Sequence, residues 1–186
     1  MEEKTCILIG HREAPDSLLS ILDAEVERHI TAYGVTDFVV GRYGRFDGIA
    51  VRCVKAAKKR HTEVTLTLLL PYHPYDRPTP TPPGFDGTFY PPGMETVPKR
   101  AAIVRANRYM VEHSDYPIAY VWHSVSNAWD FVEYGQKREM QGKNFHNHSA
   151  EIAKQDLQKI PPHDMMKIGK LYQFLAKGIG RGSVLR

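Results

Sequence analysis

The sequence of 186 residues predicts an α/β domain with a mostly parallel sheet of four to five strands, helices on both faces, and a helical C-terminal extension. Two observations carry this. Short apolar runs alternate with segments of helical periodicity, the order that produces a parallel sheet with crossover helices. The first of these runs, Lys4 to Ile9, is apolar enough to be a strand buried on both faces rather than an alternating edge strand. The length allows a core of its own, because a chain of this size buries about 70% of the surface its unfolded form exposes. The domain is placed at 1–148 and the extension at 149–186.

Lys4 to Ile9 is the first apolar run, and it ends in Gly10. A helix follows, with Asp16 placed to cap it, Leu18, Leu22, Val26 and Ile30 at helical spacing, and Gly34 at the left-handed C-cap. Asp37 to Val40 is the second strand and ends in Gly41. Phe46 to Arg60 is the second helix, with Ile49, Ala50, Cys53, Val54 and Ala57 inward, and Val64 to Leu70 is the third strand. Nine prolines then punctuate the stretch from Pro71 to Pro98. A segment of that length inside a compact domain is a lid, a binding loop or an ordered surface excursion, with a surface loop of no role as the alternative. Lys99 to His113 is the third helix, Tyr116 to Val121 the fourth strand, and Asn127 to Arg138 the fourth helix. A fifth strand is expected near Gly142 to His148. The extension holds two helices split by Pro161-Pro162.

Charge and cysteine content narrow the classes. The net charge of +4 sits in the tail: from Met140 onward there are eight basic and three acidic residues, leaving 17 and 18 in the first 139. This ranks nucleic-acid binding below the other readings. The apolar stripe of the last helix, Met165, Ile168, Leu171, Tyr172 and Leu175, favours an oligomerisation or partner element, or a cover for a sheet edge. Cys6 and Cys53 show no CxxC spacing, the first apolar run is too short for a signal peptide, and no stretch approaches the ~18 residues of a membrane span. A cytoplasmic protein with no membrane partner is expected.

In an open parallel sheet, ligands bind beyond the carboxyl ends of the strands. Four loops end there: Gly10-His11-Arg12, Gly41 to Asp47 (GRYGRFD), Pro71-Tyr72-His73, and His123 to Asn127. They carry glycines for close backbone approach, arginines that fork onto phosphate, and small hydroxyl and amide groups at a helix start. Neither GxGxxG nor GxxxxGK[ST] occurs, which disfavours ordinary dinucleotide dehydrogenases and P-loop NTPases. Asp47 is placed either to touch a ribose hydroxyl or to favour the helix dipole. His11, His73 and His123 lack a helical metal spacing, and the His146/His148 pair lacks further ligands. No metal and no cofactor are expected.

The ordered set Gly10-His11-Arg12, GRYGRFD at 41–47, and Asn107-Arg108-Tyr109-Met110 with Ser114-Asp115 resembles the SLOG superfamily, most closely its small YpsA-like members. The resemblance covers Lys4 to about Lys143 and implies a Rossmann-like three-layer sandwich. It also implies one of three functions: sensing of nucleotide-derived ligands, single-strand DNA binding, or hydrolysis of the N-glycosidic bond of a nucleoside monophosphate. The family's enzymes carry a PGGxGTxxE loop and an arginine four residues before a methionine. Matched on the fourth strand, this chain has Ser126 and Asn127 at the glycines, Asp130 at the threonine and Glu133 at the glutamate. Ala106 stands where the arginine belongs, between Arg105 and Arg108.

The reading is therefore a ligand-binding protein for a nucleotide or nucleotide-derived molecule. Its rim residues are Gly10, His11, Arg12, Gly41, Arg42, Gly44, Arg45, Asp47, Asn107, His123, Ser124, Ser126 and Asn127. The alternative is a nucleoside 5′-monophosphate phosphoribohydrolase-like enzyme using Glu133 with Arg105 or Arg108; Glu133 otherwise pairs with Lys137 on its own helix.

Overall fold

The computed structural model describes residues 3–120, and these contain a five-stranded, all-parallel sheet. In chain order the elements are β1 (Thr5–Gly10), α1 (Leu18–Tyr33), β2 (Asp37–Val40), α2 (Arg45–Lys58), β3 (Thr65–Leu69), β4 (Gly87–Phe89), a 3₁₀ turn at Lys99–Ala101 that runs into α3 (Ala102–His113), and β5 (Tyr116–Tyr120). The spatial order is β4-β3-β2-β1-β5. The chain thus steps from β1 out to β4 and then returns to the opposite side of β1, which makes the β1/β5 boundary a topological switch point.

Alternation along the strands divides two cores. Cys6 and Leu8 of β1, Phe38 and Val40 of β2 and Leu66 of β3 pack with Leu18, Leu22 and Val26 of α1 and Ile49, Ala50, Cys53 and Val54 of α2. Ile7 and Ile9, one residue out of phase, join Val39, Leu69 and Met94 against Ala102, Ala106, Met110 and Val111 of α3. β1, covered on both faces, has the apolar run expected of Lys4 to Ile9. Burial pushes the thiol of Cys6 up strongly and that of Cys53 up to about 12, so both are inert core groups.

The helix ends follow local chemistry. Gly34 closes α1 in the left-handed region (φ 70°), its N–H donating to the carbonyls of His29 and Ile30. The N-cap is Ser17 rather than Asp16; the Asp16 carboxylate instead reaches Arg45 at 2.6 Å, both side chains being largely exposed. Arg60, just past α2, returns to Glu27 of α1 at 2.9 Å.

One strand is absent from the sequence-based reading. β4 lies inside the proline-rich stretch, so that stretch is in part an ordered excursion, while the expected fifth strand at 142–148 lies outside the described residues. Tertiary contacts hold β4 in place. Asp86 accepts a hydrogen bond from the Leu66 N–H at 2.7 Å and pairs with Lys58, and its own N–H donates to the Leu66 carbonyl at 2.9 Å. Lys55 donates to the Pro83 carbonyl at 2.6 Å and lies over the Phe85 ring. Partial burial raises the pKa of Asp86, but the hydrogen bonds from Lys58 and Leu66 outweigh it and hold the carboxyl below its ordinary value. Asp86→Ala should cost about 1 kcal/mol and accelerate hydrogen exchange at the Leu66 amide. Unchanged exchange there would show that Asp86 does not anchor the edge.

Candidate functional site at the carboxyl edge of the sheet

The loops after β1 and β2 are locked together. The Arg45 N–H donates to the Arg12 carbonyl at 2.9 Å, and Arg12 Nε donates to the Tyr43 carbonyl at 3.2 Å. Two glycines permit this approach. A Cβ on Gly44 would stand 3.0 Å from Arg12 Cα, and one on Gly10 would enter the Phe46 ring at 2.3 Å. Phe46 is fully buried and stacks on Tyr120 of β5 with centroids 6.1 Å apart. Gly10 therefore makes room for a side chain that ties α2 to the switch point. His11 is also buried here; its N–H donates to the Tyr120 carbonyl at 3.2 Å and its ring meets Tyr120 edge-on.

Asp47 faces back onto its own loop. Its Oδ2 accepts hydrogen bonds from the N–H groups of Tyr43 at 2.7 Å and Gly44 at 3.2 Å, the carboxylate half of a capping box. A Cβ on Gly41 would stand 3.0 Å from the same oxygen. The structure thus puts Asp47 in the capping role. Burial raises its carboxyl above the ordinary value, and the two backbone donors only partly offset this. A raised folded-state pKa means that Asp47 withdraws stability as pH climbs from the ordinary carboxylate range through the folded value. Asp47→Asn keeps an acceptor and removes the charge. The variant should gain stability relative to the parent as pH rises from about 3 to 7 in urea titrations; a pH-independent difference would contradict a buried carboxylate.

Beside this locked pair lies a groove of about 470 Å³, bounded by Arg42 and Tyr43 after β2 and by Arg77 and the Pro78–Pro83 wall after β3. Tyr43 meets Tyr72 edge-on with centroids 6.2 Å apart, and the Arg77 guanidinium lies 5.1 Å from the centre of the Tyr72 ring. Burial pushes the Tyr43 phenol above its ordinary value against the pull of the nearby Arg77 and Arg42 charges. Neither Arg42 nor Arg77 is paired with a carboxylate among the described residues. Two uncompensated guanidiniums and a neutral phenol on one concave surface suit an anion attached to a flat, partly apolar body.

The predicted site residues fall into three groups. Gly10, His11, Arg12, Gly41, Arg42, Gly44, Arg45 and Asp47 gather at the carboxyl edge of β1 and β2. On α3, Arg105 is exposed, Asn107 is half-buried, Ala106 is fully buried in the core, and Arg108 is exposed and paired with Glu112 at 3.3 Å. His123, Ser124, Ser126, Asn127, Asp130 and Glu133 lie outside the described residues, as do His146, His148 and the extension. His73 projects beyond β3, two strands from His11, with Nδ1 accepting from the Tyr75 N–H at 3.1 Å and its ring edge-on to Tyr90. Among the described residues no three metal-ligating side chains cluster, and no helix is long and apolar enough to cross a membrane.

Sequence reasoning missed Arg77 and the facing role of the proline wall. The local signal was slight: one arginine followed by Pro-Thr-Pro-Thr-Pro-Pro, with no periodic pattern to say which surface it meets. Compared with known proteins, the sequence matches no protein-family model and no curated protein.

Proposed function

We propose that this chain binds a nucleotide or nucleotide-derived small molecule at the carboxyl edge of its sheet, in a sensing or sequestering role. The observation that carries the reading is the groove after β2 and β3, where Arg42 and Arg77, without carboxylate partners among the described residues, stand beside Tyr43 and Tyr72. Its volume of about 470 Å³ falls within the range of small-molecule sites. Hydrogen bonds between the Gly10–Arg12 and Gly41–Asp47 loops hold the segment that carries Arg42 and Tyr43, one side of the groove. On α3, Ala106 fills the core and Arg108 is engaged by Glu112, whereas Arg105 is exposed and Glu133, the carboxylate of the hydrolytic alternative, lies outside the described residues.

A thermal-shift panel of nucleoside mono- and diphosphates, NAD and ADP-ribose tests the proposal. A ligand at 100 times its Kd adds about 2.7 kcal/mol to the stability of the native state, which for a domain of this size raises Tm by roughly 5–10 °C. Absence of any shift across the panel would refute the reading.

A further inference from the structure

We infer that the site selects a nucleotide whose ribose carries a phosphate of its own, in addition to the 5′-phosphate chain. The inference rests on the nucleotide reading above and concerns which nucleotide the groove accepts.

In doubly wound sheets the ribose of a bound nucleotide lies near the end of the second strand. An acidic residue there accepts hydrogen bonds from the free hydroxyls, whereas an arginine accommodates a ribose phosphate. Here β2 ends at Val40 and is followed by Gly41-Arg42, with no carboxylate at that position. The nearest acidic residue of the loop is Asp47. It turns inward, accepts from the Tyr43 and Gly44 N–H groups, and is held by burial in an environment unfavourable to charge.

The groove beyond this point is cationic on both walls. Arg42 comes from the β2 loop and Arg77 from the excursion after β3. Arg77 lies over the Tyr72 ring, a contact that favours the groove-facing orientation of its guanidinium before any ligand arrives. A free ribose diol offers these groups nothing but weak acceptors. A phosphate dianion offers several strong ones and neutralises two charges that the described residues leave uncompensated.

Isothermal titration with adenosine 2′,5′-bisphosphate, adenosine 3′,5′-bisphosphate and ADP separates the possibilities, because all three carry two phosphates and differ in where the second is attached. One bisphosphate should bind at least tenfold more tightly than ADP. That ratio should collapse toward one in Arg42→Ala and in Arg77→Ala. Arg77→Gln, which keeps an aliphatic stem over Tyr72, should show the same collapse and thereby distinguish lost charge from lost packing. ADP binding as tightly as both bisphosphates would overturn the inference while leaving the nucleotide reading intact, and so would a preference that survives in all three variants. No binding of any of the three compounds would overturn both.

Discussion

Phe46→Ala is expected to remove about 3–5 kcal/mol of stability, the range for deleting a fully buried aromatic ring. Phe46 is 0% exposed and stacks on Tyr120 at an interplanar angle of 4°, so its loss empties the space between the start of α2 and the end of β5. At about 2–4 °C per kcal/mol for a domain of this size, Tm falls by roughly 6–20 °C. Gly10→Ala probes the same contact from the other side. The added methyl meets the ring at 2.3 Å, and because Gly10 does not occupy the left-handed region the effect is steric; overpacking of this kind costs about 1–3 kcal/mol. The two sites share one volume, so Gly10→Ala combined with Phe46→Leu should cost less than the sum of the single changes, with a coupling of about 0.5–3 kcal/mol. Full additivity in denaturant titrations would mean that the ring does not lie over Gly10.

Replacing both Arg42 and Arg77 with alanine should abolish nucleotide binding without unfolding the protein. Each charge-assisted hydrogen bond to phosphate is worth about 1.5–3 kcal/mol, or roughly 10- to 150-fold in Kd. Losing both therefore weakens a micromolar ligand to roughly 0.1–20 mM. Both side chains are exposed, and the structural debt is confined to the Arg77–Tyr72 contact, worth about 0.5–1 kcal/mol at an exposed site. The parent protein's affinity should also fall as salt is raised, as expected for anion binding at an accessible groove. Undiminished affinity in the double variant, with Tm close to the parent's, would place the ligand elsewhere.

The parts of the fold that were legible in sequence are those where one local rule decides. β1, β2 and β3 are apolar runs long enough to be covered on both faces, and α1 and α2 carry stripes at helical spacing with Gly34 marking the end of α1. β4 obeys no such rule. Gly87-Thr88-Phe89 is three residues long, lies among prolines, and becomes a strand because Asp86, Lys58 and Lys55 pin the excursion to β3 and α2. Asp16 looked like a cap because it precedes an amphipathic stripe, but the chain turns one residue later and its carboxylate finds Arg45.

The candidate site was legible to a similar degree. Loop composition identified Arg42 and the glycines, because arginine and glycine at strand ends are visible in one dimension. What fills the space beside a glycine is not visible there, and at Gly10 and Gly44 the occupants are Phe46 and the Arg12 backbone. Asp47 carried two readings from its position at the start of α2, and only the direction of its side chain separates them. Arg77 lines the groove because the excursion brings it opposite the loop after β2, a long-range event without a local trace.

The central claim is that a nucleotide-type ligand occupies the groove between the loops after β2 and β3. A crystal structure of the protein soaked with the tightest-binding compound of the nucleotide panel tests it most directly. The prediction is a phosphate within about 2.7–3.0 Å of the guanidinium nitrogens of both Arg42 and Arg77, with the ribose beside Tyr43. Ligand bound at another surface, with Arg42 and Arg77 left in solvent, would contradict it.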